Sequence, residues 1–180
     1  MGFEPYLQNV QRYSRTFNVR TPNTFISPFF FMQGTQTGVA GHVVKYGTAG
    51  EDSITLATSG AKVSDIAGFL MQDVKDLDAG AVKGYRNLNN TVENLGGNVG
   101  VAQGSFVADT KQYNGTPAFK DKLAVAKDNS GNLETYAATQ TGDAIAVVEA
   151  TVGSAQVSLE PTQFSTAGGN AFIRIRTYGL

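Results

Sequence analysis

From residue 38 onward, glycines divide the chain into short runs in which β-branched or aromatic residues recur at every second position. This spacing predicts strands that each turn one face toward a core. Glycine occupies 21 of 180 positions, which favours turns and short strands. Nine runs are predicted to be strands: 41–47, 53–58, 66–74, 98–108, 122–126, 133–138, 143–152, 155–161 and 171–179. Nine short strands in close succession predict an all-β body, either a small barrel or a sandwich, over residues 38–180.

Helices are expected to be few and short. In 63–77 the apolar residues Ile66, Leu70 and Val74 fit a helical spacing, but Gly68 interrupts it and we favour a strand there. Residues 83–97 predict either one short helix ended by Gly96 or a long surface loop. A further short helix fits residues 6–13. The fold class therefore contains at most one or two short helices.

The stretch 128–134, "DNSGNLE", superficially resembles a calcium-binding loop because polar side chains alternate along it. Its glycine stands at the fourth position, whereas the calcium loop needs glycine at the sixth, and the glutamate at the twelfth is missing. Asn, Ser and Gly also supply the backbone conformations that reverse a chain. We therefore predict a hairpin between 122–126 and 133–138.

Residues 1–37 form a second unit in this prediction, an extended and slightly basic arm. The segment contains three prolines and eight aromatic residues without a regular period. So many large apolar side chains must be buried, either against the protein's own body or against a neighbouring subunit. We predict docking on adjacent subunits, with Tyr6, Phe17, Phe29, Phe30 and Phe31 as anchors and with Arg12, Arg15 and Arg20 as partners for a neighbour's carboxylates.

No pattern in the sequence indicates catalysis, a metal or a cofactor. Cysteine is absent, and the single histidine, His42, lies in a predicted strand. The four aspartates between residues 65 and 78 are explained as a charged loop beside a strand. The glycines of "GGNVG" at 96–100 lack the lysine and hydroxyl residue of a phosphate-binding loop. We predict a protein that is not an enzyme and binds no cofactor.

Charge and hydropathy narrow the set of partners. The net charge is −1, so the molecule has no general attraction for nucleic acid. Only "QRYSRTFNVR" at 11–20 interleaves arginines with aromatics, and we expect a partner protein's carboxylates, rather than nucleic acid, to match it. No apolar run reaches the length of about 20 residues that spans a bilayer. We expect a soluble protein without a membrane partner.

The segment from about Ile66 to Tyr178 resembles the capsid decoration, or cement, proteins of tailed bacteriophages. The similarity is carried, in order, by "GFLMQDVK" (68–75), "GGNVGVAQGSF" (96–106), "YNGTPAFKDKLAV" (113–125), "SGNLETYA" (130–137), "GDAIAVVEATV" (142–152) and "FIRIRTYG" (172–179). It covers the C-terminal two thirds of the chain and leaves out the arm.

The resemblance implies a small barrel that acts without catalysis on the surface of a virion and is made in the host cytoplasm. Its partners would be the major capsid protein and copies of itself, as a homotrimer or homodimer, and its function would be to hold neighbouring capsid subunits together. Two alternatives stay open. One is another virion subunit of the tail tube, connector or shell, and the other is a receptor- or carbohydrate-binding β module, which the lack of tryptophan disfavours.

Overall fold

A computed structural model describes residues 16–21, 24–34, 36–75, 91–93, 98–151 and 171–179. These residues form an all-β fold, as the sequence predicts, with one 3₁₀ turn at Val63–Asp65. None of them forms a helix long and apolar enough to cross a bilayer. The strands are β1 (Phe17–Val19), β2 (Phe25–Met32), β3 (Val43–Tyr46), β4 (Ser53–Leu56), β5 (Ile66–Leu70), β6 (Asp73–Lys75), β7 (Thr91–Glu93), β8 (Val99–Gln103), β9 (Val107–Thr110), β10 (Lys122–Val125), β11 (Leu133–Thr135), β12 (Ala146–Ala150) and β13 (Ile173–Thr177).

Five strands close into a barrel in the order β2-β4-β3-β5-β8. Neighbouring strands are antiparallel except β2 and β4, which run parallel where Phe31 lies opposite Ser53. Side chains of all five strands fill the interior, including Phe30, Val44, Ile54, Leu70 and Val101. Closure leaves the barrel with a packed core of its own.

Six further strands form an antiparallel sheet in the order β1-β9-β13-β12-β10-β11. In β12 and β13 buried residues alternate with more exposed ones, so one face of the sheet is turned inward. β1 and β13 lie on either side of β9, and both Phe17 and Ile173 are opposite Thr110. The pair β6–β7 forms a separate two-stranded parallel ribbon.

The barrel and the six-stranded sheet share one wall. Successive residues on the barrel strands point to opposite sides: Val44, Leu70 and Val101 into the barrel, and Val43, Phe69 and Ala102 toward the sheet. All five residues of β5 are buried for this reason, which explains the uninterrupted apolar run "IAGFL". The second core is completed by Phe17, Phe106, Leu123 and Ile175 from the sheet side.

Gly68 lies in this wall at a place where no other residue fits. Its φ is +142°, and a Cβ there would come within 2.2 Å of the Ala102 carbonyl oxygen on β8. The pairing of β3 with β5 also shifts register next to Gly68, between Val44 and Lys45. The glycine therefore permits both a local kink and the close approach of two backbones.

Eight of the nine predicted strand runs contain a strand, and the ninth, 155–161, lies outside the described residues. The run 98–108 is two strands rather than one, because Gly104 (φ +83°) turns the chain between β8 and β9. Residues 66–70 form a strand, which we predict there in preference to a helix. Of 83–97, only β7 is described, and it is a strand rather than a helix.

The predicted hairpin is confirmed. β10 and β11 pair antiparallel, with Val125 opposite Leu133, and the turn between them places Asn129 at φ +59° and Gly131 at φ +80°. The Asp128 carboxylate accepts hydrogen bonds from the Ser130 hydroxyl and from the Asn114 amide. These bonds account for the polar side chains of "DNSGNLE" as turn-forming groups, and they lower the pKa of Asp128, the Ser130 hydroxyl contributing most.

The division between arm and body at residue 37 requires correction. β1 lies in the six-stranded sheet and β2 closes the barrel, so residues 16–34 belong to the body wherever the structure describes them. The physical reason is that three large apolar side chains of this segment are buried within the chain, Phe17 in one core and Phe30 and Met32 in the other. Residues 1–15 lie outside the described residues, and an arm over that range stays a prediction.

Candidate functional site, a groove beside Phe29

Strand β2 of the barrel is interrupted by a bulge at Pro28 and Phe29. Ser27 lies opposite Val101 and Phe30 opposite Val99, which leaves Pro28 and Phe29 together opposite Gly100 of β8. Proline has no backbone N–H and is tolerated in a sheet at such irregular positions. The bulge resets the alternation of the strand, so that Phe29 projects outward while Phe30 turns into the barrel.

Gly100 leaves an open space beneath this bulge. A Cβ at position 100 would lie 3.4 Å from Ile26 Cγ2 on one side and 3.4 Å from Met71 Cβ on the other. A side chain there would fill the gap between β2 and the end of β5. Because residue 100 is glycine, its backbone forms the floor of a concave surface.

This concave surface, which we call the Phe29 groove, has a volume of about 330 Å³. Its wall on β2 is apolar, and its opposite wall combines the largely buried Met71 with Gln72. The Gln72 side-chain oxygen accepts a hydrogen bond of 3.3 Å from the Gly100 N–H, which fixes this wall to the floor. The groove is lined by Ile26, Pro28, Phe29, Met71, Gln72, Asn98 and Gly100.

Three large apolar side chains stand exposed on the same strand: Phe25 at 66 %, Ile26 at 36 % and Phe29 at 67 %. We call them the apolar patch. They are close in sequence on one strand, and Ile26 and Phe29 line the groove, whereas Phe25 is not among the lining residues. A cluster of this kind on a folded domain is typical of a surface that contacts another protein.

The structure separates the predicted anchors into different roles. Phe29 is exposed in the groove, whereas Phe30 is buried in the barrel and Phe31 is partly buried. Phe17 is buried in the core shared with the sheet, where its ring stacks on Phe69 with centroids 5.6 Å apart. Of the described anchors, only Phe29 is thus available to a neighbour.

The sequence predicts that Arg20 meets a carboxylate of another subunit, but in the structure it contacts Asp109 of its own chain. The Arg20 Nε lies 2.7 Å from Asp109 Oδ2, and Arg174 Nε lies 2.8 Å from Oδ1 of the same carboxylate. Asp109 is only 2 % exposed, and its buried charge is compensated by both guanidinium groups. The hydrogen bond that Arg174 donates to Asp109 raises the pKa of Arg174. Tyr6, Arg12 and Arg15 lie outside the described residues.

The histidine and the described aspartates considered as candidate catalytic or metal-binding groups accept hydrogen bonds from backbone N–H groups. His42 is partly buried just before β3, and its Nδ1 accepts a hydrogen bond of 3.3 Å from the Val39 N–H. Asp73 accepts a hydrogen bond from the Ala40 N–H, and Asp65 from the Lys62 N–H at the start of the 3₁₀ turn. Asp76 and Asp78 are outside the described residues. Over the ranges given above, no three His, Asp or Glu side chains are grouped so as to hold a metal ion.

Sequence reasoning missed the residues that shape the groove around Phe29. Ile26, Met71 and Gly100 come from three different strands or strand ends, and no local pattern links them. One signal was present: Pro28 within an otherwise strand-like aromatic run indicates a bulge or an edge.

Comparison with known proteins adds no relative. No protein-family model matches the chain, and its sequence matches none of the curated proteins.

Proposed function

We propose that this protein is a non-enzymatic structural protein of a tailed-phage virion, which decorates the capsid and stabilises it by holding neighbouring capsid subunits together. The sequence motifs that resemble the decoration proteins lie on both halves of the fold. "GFLMQDVK" covers most of β5 and all of β6, "SGNLETYA" contains β11, and "FIRIRTYG" contains β13. The proposal thus draws on strands of the barrel, the ribbon and the sheet.

The observation that carries the proposal is the apolar patch beside the Phe29 groove. Phe25, Ile26 and Phe29 project from a strand whose other end is locked in the barrel through Phe30 and Met32. A rigid scaffold that presents apolar side chains contacts a partner without first losing much conformational entropy. Such a surface is suited to a structural protein whose function is to bind other proteins.

Stabilisation of a shell does not require a strong single contact. A capsid presents many equivalent binding positions. Many weak contacts, repeated across these positions, together hold neighbouring capsid subunits in place. On this proposal the partners are the major capsid protein and other copies of this chain. The protein is localised on the capsid surface.

The proposal is tested with capsids prepared without the protein, to which the purified full chain is added. We expect co-sedimentation at a stoichiometry of hundreds of copies per particle and release of packaged DNA at a higher temperature. Phe29→Ser should weaken both effects, because it removes the most exposed ring of the patch. The matched control is Phe119→Ser, which removes a ring of similar exposure, 59 %, from outside the groove.

Two outcomes would contradict the proposal: no binding to capsids, or binding without any change in capsid stability. Equal loss for Phe119→Ser and Phe29→Ser would show that the apolar patch does not make the contact. A copy number of six or twelve in purified virions would instead favour the connector or tail alternative.

A further inference from the structure

We infer that Asn114 and Gly115 form a spontaneous modification site, at which the folded protein converts the Asn114 amide into a carboxylate without an enzyme. The reaction is the deamidation of an asparagine through a cyclic imide, and its co-reactant is water. The product breaks a contact between the segment after β9 and the β10–β11 turn. The inference goes beyond the proposed function and does not depend on it.

Asn114 is the only asparagine of the chain that is followed by glycine. In deamidation the main-chain nitrogen of the next residue attacks the side-chain carbonyl carbon, and a side chain on that next residue obstructs the approach. Glycine has no side chain and adopts the widest range of backbone conformations. Gly115 is exposed at φ +74°, and no atom outside the adjoining residues lies within 4 Å of the position that a Cβ would take.

The hydrogen bonds of the attacking nitrogen distinguish Asn114 from Asn129, which is exposed in the nearby turn. The Gly115 N–H makes no hydrogen bond with the part of the chain that the structure describes. After Asn129, the Ser130 N–H donates a hydrogen bond of 3.1 Å to the Asp128 carboxylate. A bonded amide must lose its partner before it attacks, so the structure favours reaction at Asn114.

The atoms of the reaction balance with water as the only added reactant. The Gly115 nitrogen forms a bond to Cγ of Asn114 and loses its proton, while the bond from Cγ to Nδ2 breaks and Nδ2 leaves with that proton as ammonia. Water then adds to one of the two carbonyl carbons of the imide ring. Opening of the ring leaves aspartate or isoaspartate at position 114, and nothing is oxidised or reduced.

Two hydrogen bonds hold the Asn114 amide in the unmodified protein. Its Nδ2 donates to Asp128 Oδ2 at 2.8 Å, and its Oδ1 accepts from Asn132 Nδ2 at 3.0 Å. Asp128 is exposed and Asn132 is half-buried, so water replaces these bonds when the side chain rotates toward Gly115. No strand has to separate for the reaction to begin.

Conversion changes residue 114 from a donor to Asp128 into a second carboxylate, which only accepts hydrogen bonds. The two carboxylates then face each other at hydrogen-bond distance, where like charges repel. Residues 112–114 are held to β11 by the bond from the Asn114 N–H to the Leu133 carbonyl (2.7 Å) and by the bond from the Leu133 N–H to the Gln112 carbonyl (3.0 Å). We expect the repulsion to loosen this segment from β11.

The test is peptide mapping by mass spectrometry of the purified full chain, kept folded at slightly alkaline pH and sampled over weeks. We expect aspartate and isoaspartate to accumulate at position 114, while Asn129 is still intact when half of residue 114 has converted. Gly115→Ala should stop the conversion, because its methyl group obstructs the attacking nitrogen. The matched control is Gly104→Ala, at a glycine of similar φ (+83°) with equally open surroundings, and it should leave the conversion of Asn114 unchanged.

Asn114→Asp installs one of the two products directly and tests the consequence for the fold. We expect the midpoint of thermal unfolding to fall by about 2–4 °C, and by less at high salt, which screens the repulsion. Asn129→Asp is the control, because it adds the same charge beside Asp128 but keeps an oxygen that accepts the hydrogen bond of 2.8 Å from the Ser59 N–H. It should lower the midpoint less.

The inference is overturned if the folded wild type keeps Asn114 intact for the time in which the chain unfolded in guanidinium chloride converts it, because the fold then protects the site. Equal conversion of Asn114 and Asn129, or conversion that Gly115→Ala leaves unchanged, overturns the role given to the Gly115 nitrogen. An Asn114→Asp variant as stable as the wild type overturns the consequence for the contact with the turn.

Discussion

At the scale of single residues, Gly68 is a position where both the backbone conformation and the available space require glycine. Gly68→Ala would place a methyl group 2.2 Å from the Ala102 carbonyl oxygen, at a φ of +142° that residues with a side chain rarely adopt. Backbone strain and overpacking each cost about 1–3 kcal/mol, so we expect a loss of about 3 kcal/mol or more in the free energy of unfolding. Chemical denaturation followed by circular dichroism measures this loss.

Gly100→Ala is the matched control for that substitution. Its Cβ has neighbours at 3.4 Å and no left-handed φ, so the free energy of unfolding should change by less than about 1 kcal/mol. Equal stability for the Gly68 and Gly100 variants would contradict the close approach of β5 and β8.

His42 makes the stability depend on pH. Burial lowers the pKa of His42 below its ordinary value of 6.5, and this effect outweighs the hydrogen bond to Gln112 and the charges of Asp73 and Asp128, which raise it. The folded protein therefore holds the imidazole neutral, and the unfolded chain takes up a proton more readily. The stabilisation is present above about pH 6.5 and is lost as the pH falls through the lowered pKa of the folded state.

His42→Asn tests this dependence, because the asparagine side-chain oxygen can replace Nδ1 as the acceptor of the Val39 N–H. We expect the wild type to lose more free energy of unfolding than the variant between pH 7 and pH 5, as measured by urea denaturation. Other titrating groups contribute equally to both proteins and cancel. Parallel curves for the two proteins would show that His42 does not titrate differently on folding.

At the scale of the elements, the sequence predicts local features well. The hairpin of β10 and β11 follows from Asn129, Gly131 and the alternating residues around them, all of which act within a few positions. β2 shows the opposite case. Four consecutive apolar residues from Phe29 to Met32 hide the period of two, because the bulge at Pro28 shifts the alternation. The sequence therefore predicts that this segment belongs to an extended arm, whereas the structure places it in the barrel.

Truncation tests the place of β1 and β2 in the body. Removal of residues 1–37 takes Phe17, Phe30 and Met32 out of the two cores, and each such side chain contributes about 1.5–3 kcal/mol through burial. Their sum is comparable with the whole stability of a domain, about 5–15 kcal/mol. We expect the truncated chain to lose its cooperative thermal transition.

Removal of residues 1–15 is the control, since it retains every strand of the described fold, and we expect a folded protein. A shorter chain beginning at residue 38 that unfolds as cooperatively as the full protein would show that β1 and β2 are dispensable.

At the scale of the whole molecule, composition and periodicity predict an all-β protein but not how the strands pair. The parallel contact of β2 with β4 and the wall shared by two cores join residues far apart in the chain, and no local pattern encodes them. The groove is of the same kind, since Ile26, Met71 and Gly100 meet only after the barrel has closed. Phe29 could be proposed as a contact residue from its type alone.

The position of β9 between β1 and β13 has a mechanical consequence. Both outer strands run antiparallel to β9 and therefore parallel to each other, so the chain enters at the Phe17 end of this trio and leaves at the Thr177 end. A force that pulls these two ends apart acts along the strands. The hydrogen bonds that flank β9 then bear the load together as shear instead of breaking one after another, and we expect these three strands to resist tension along this axis.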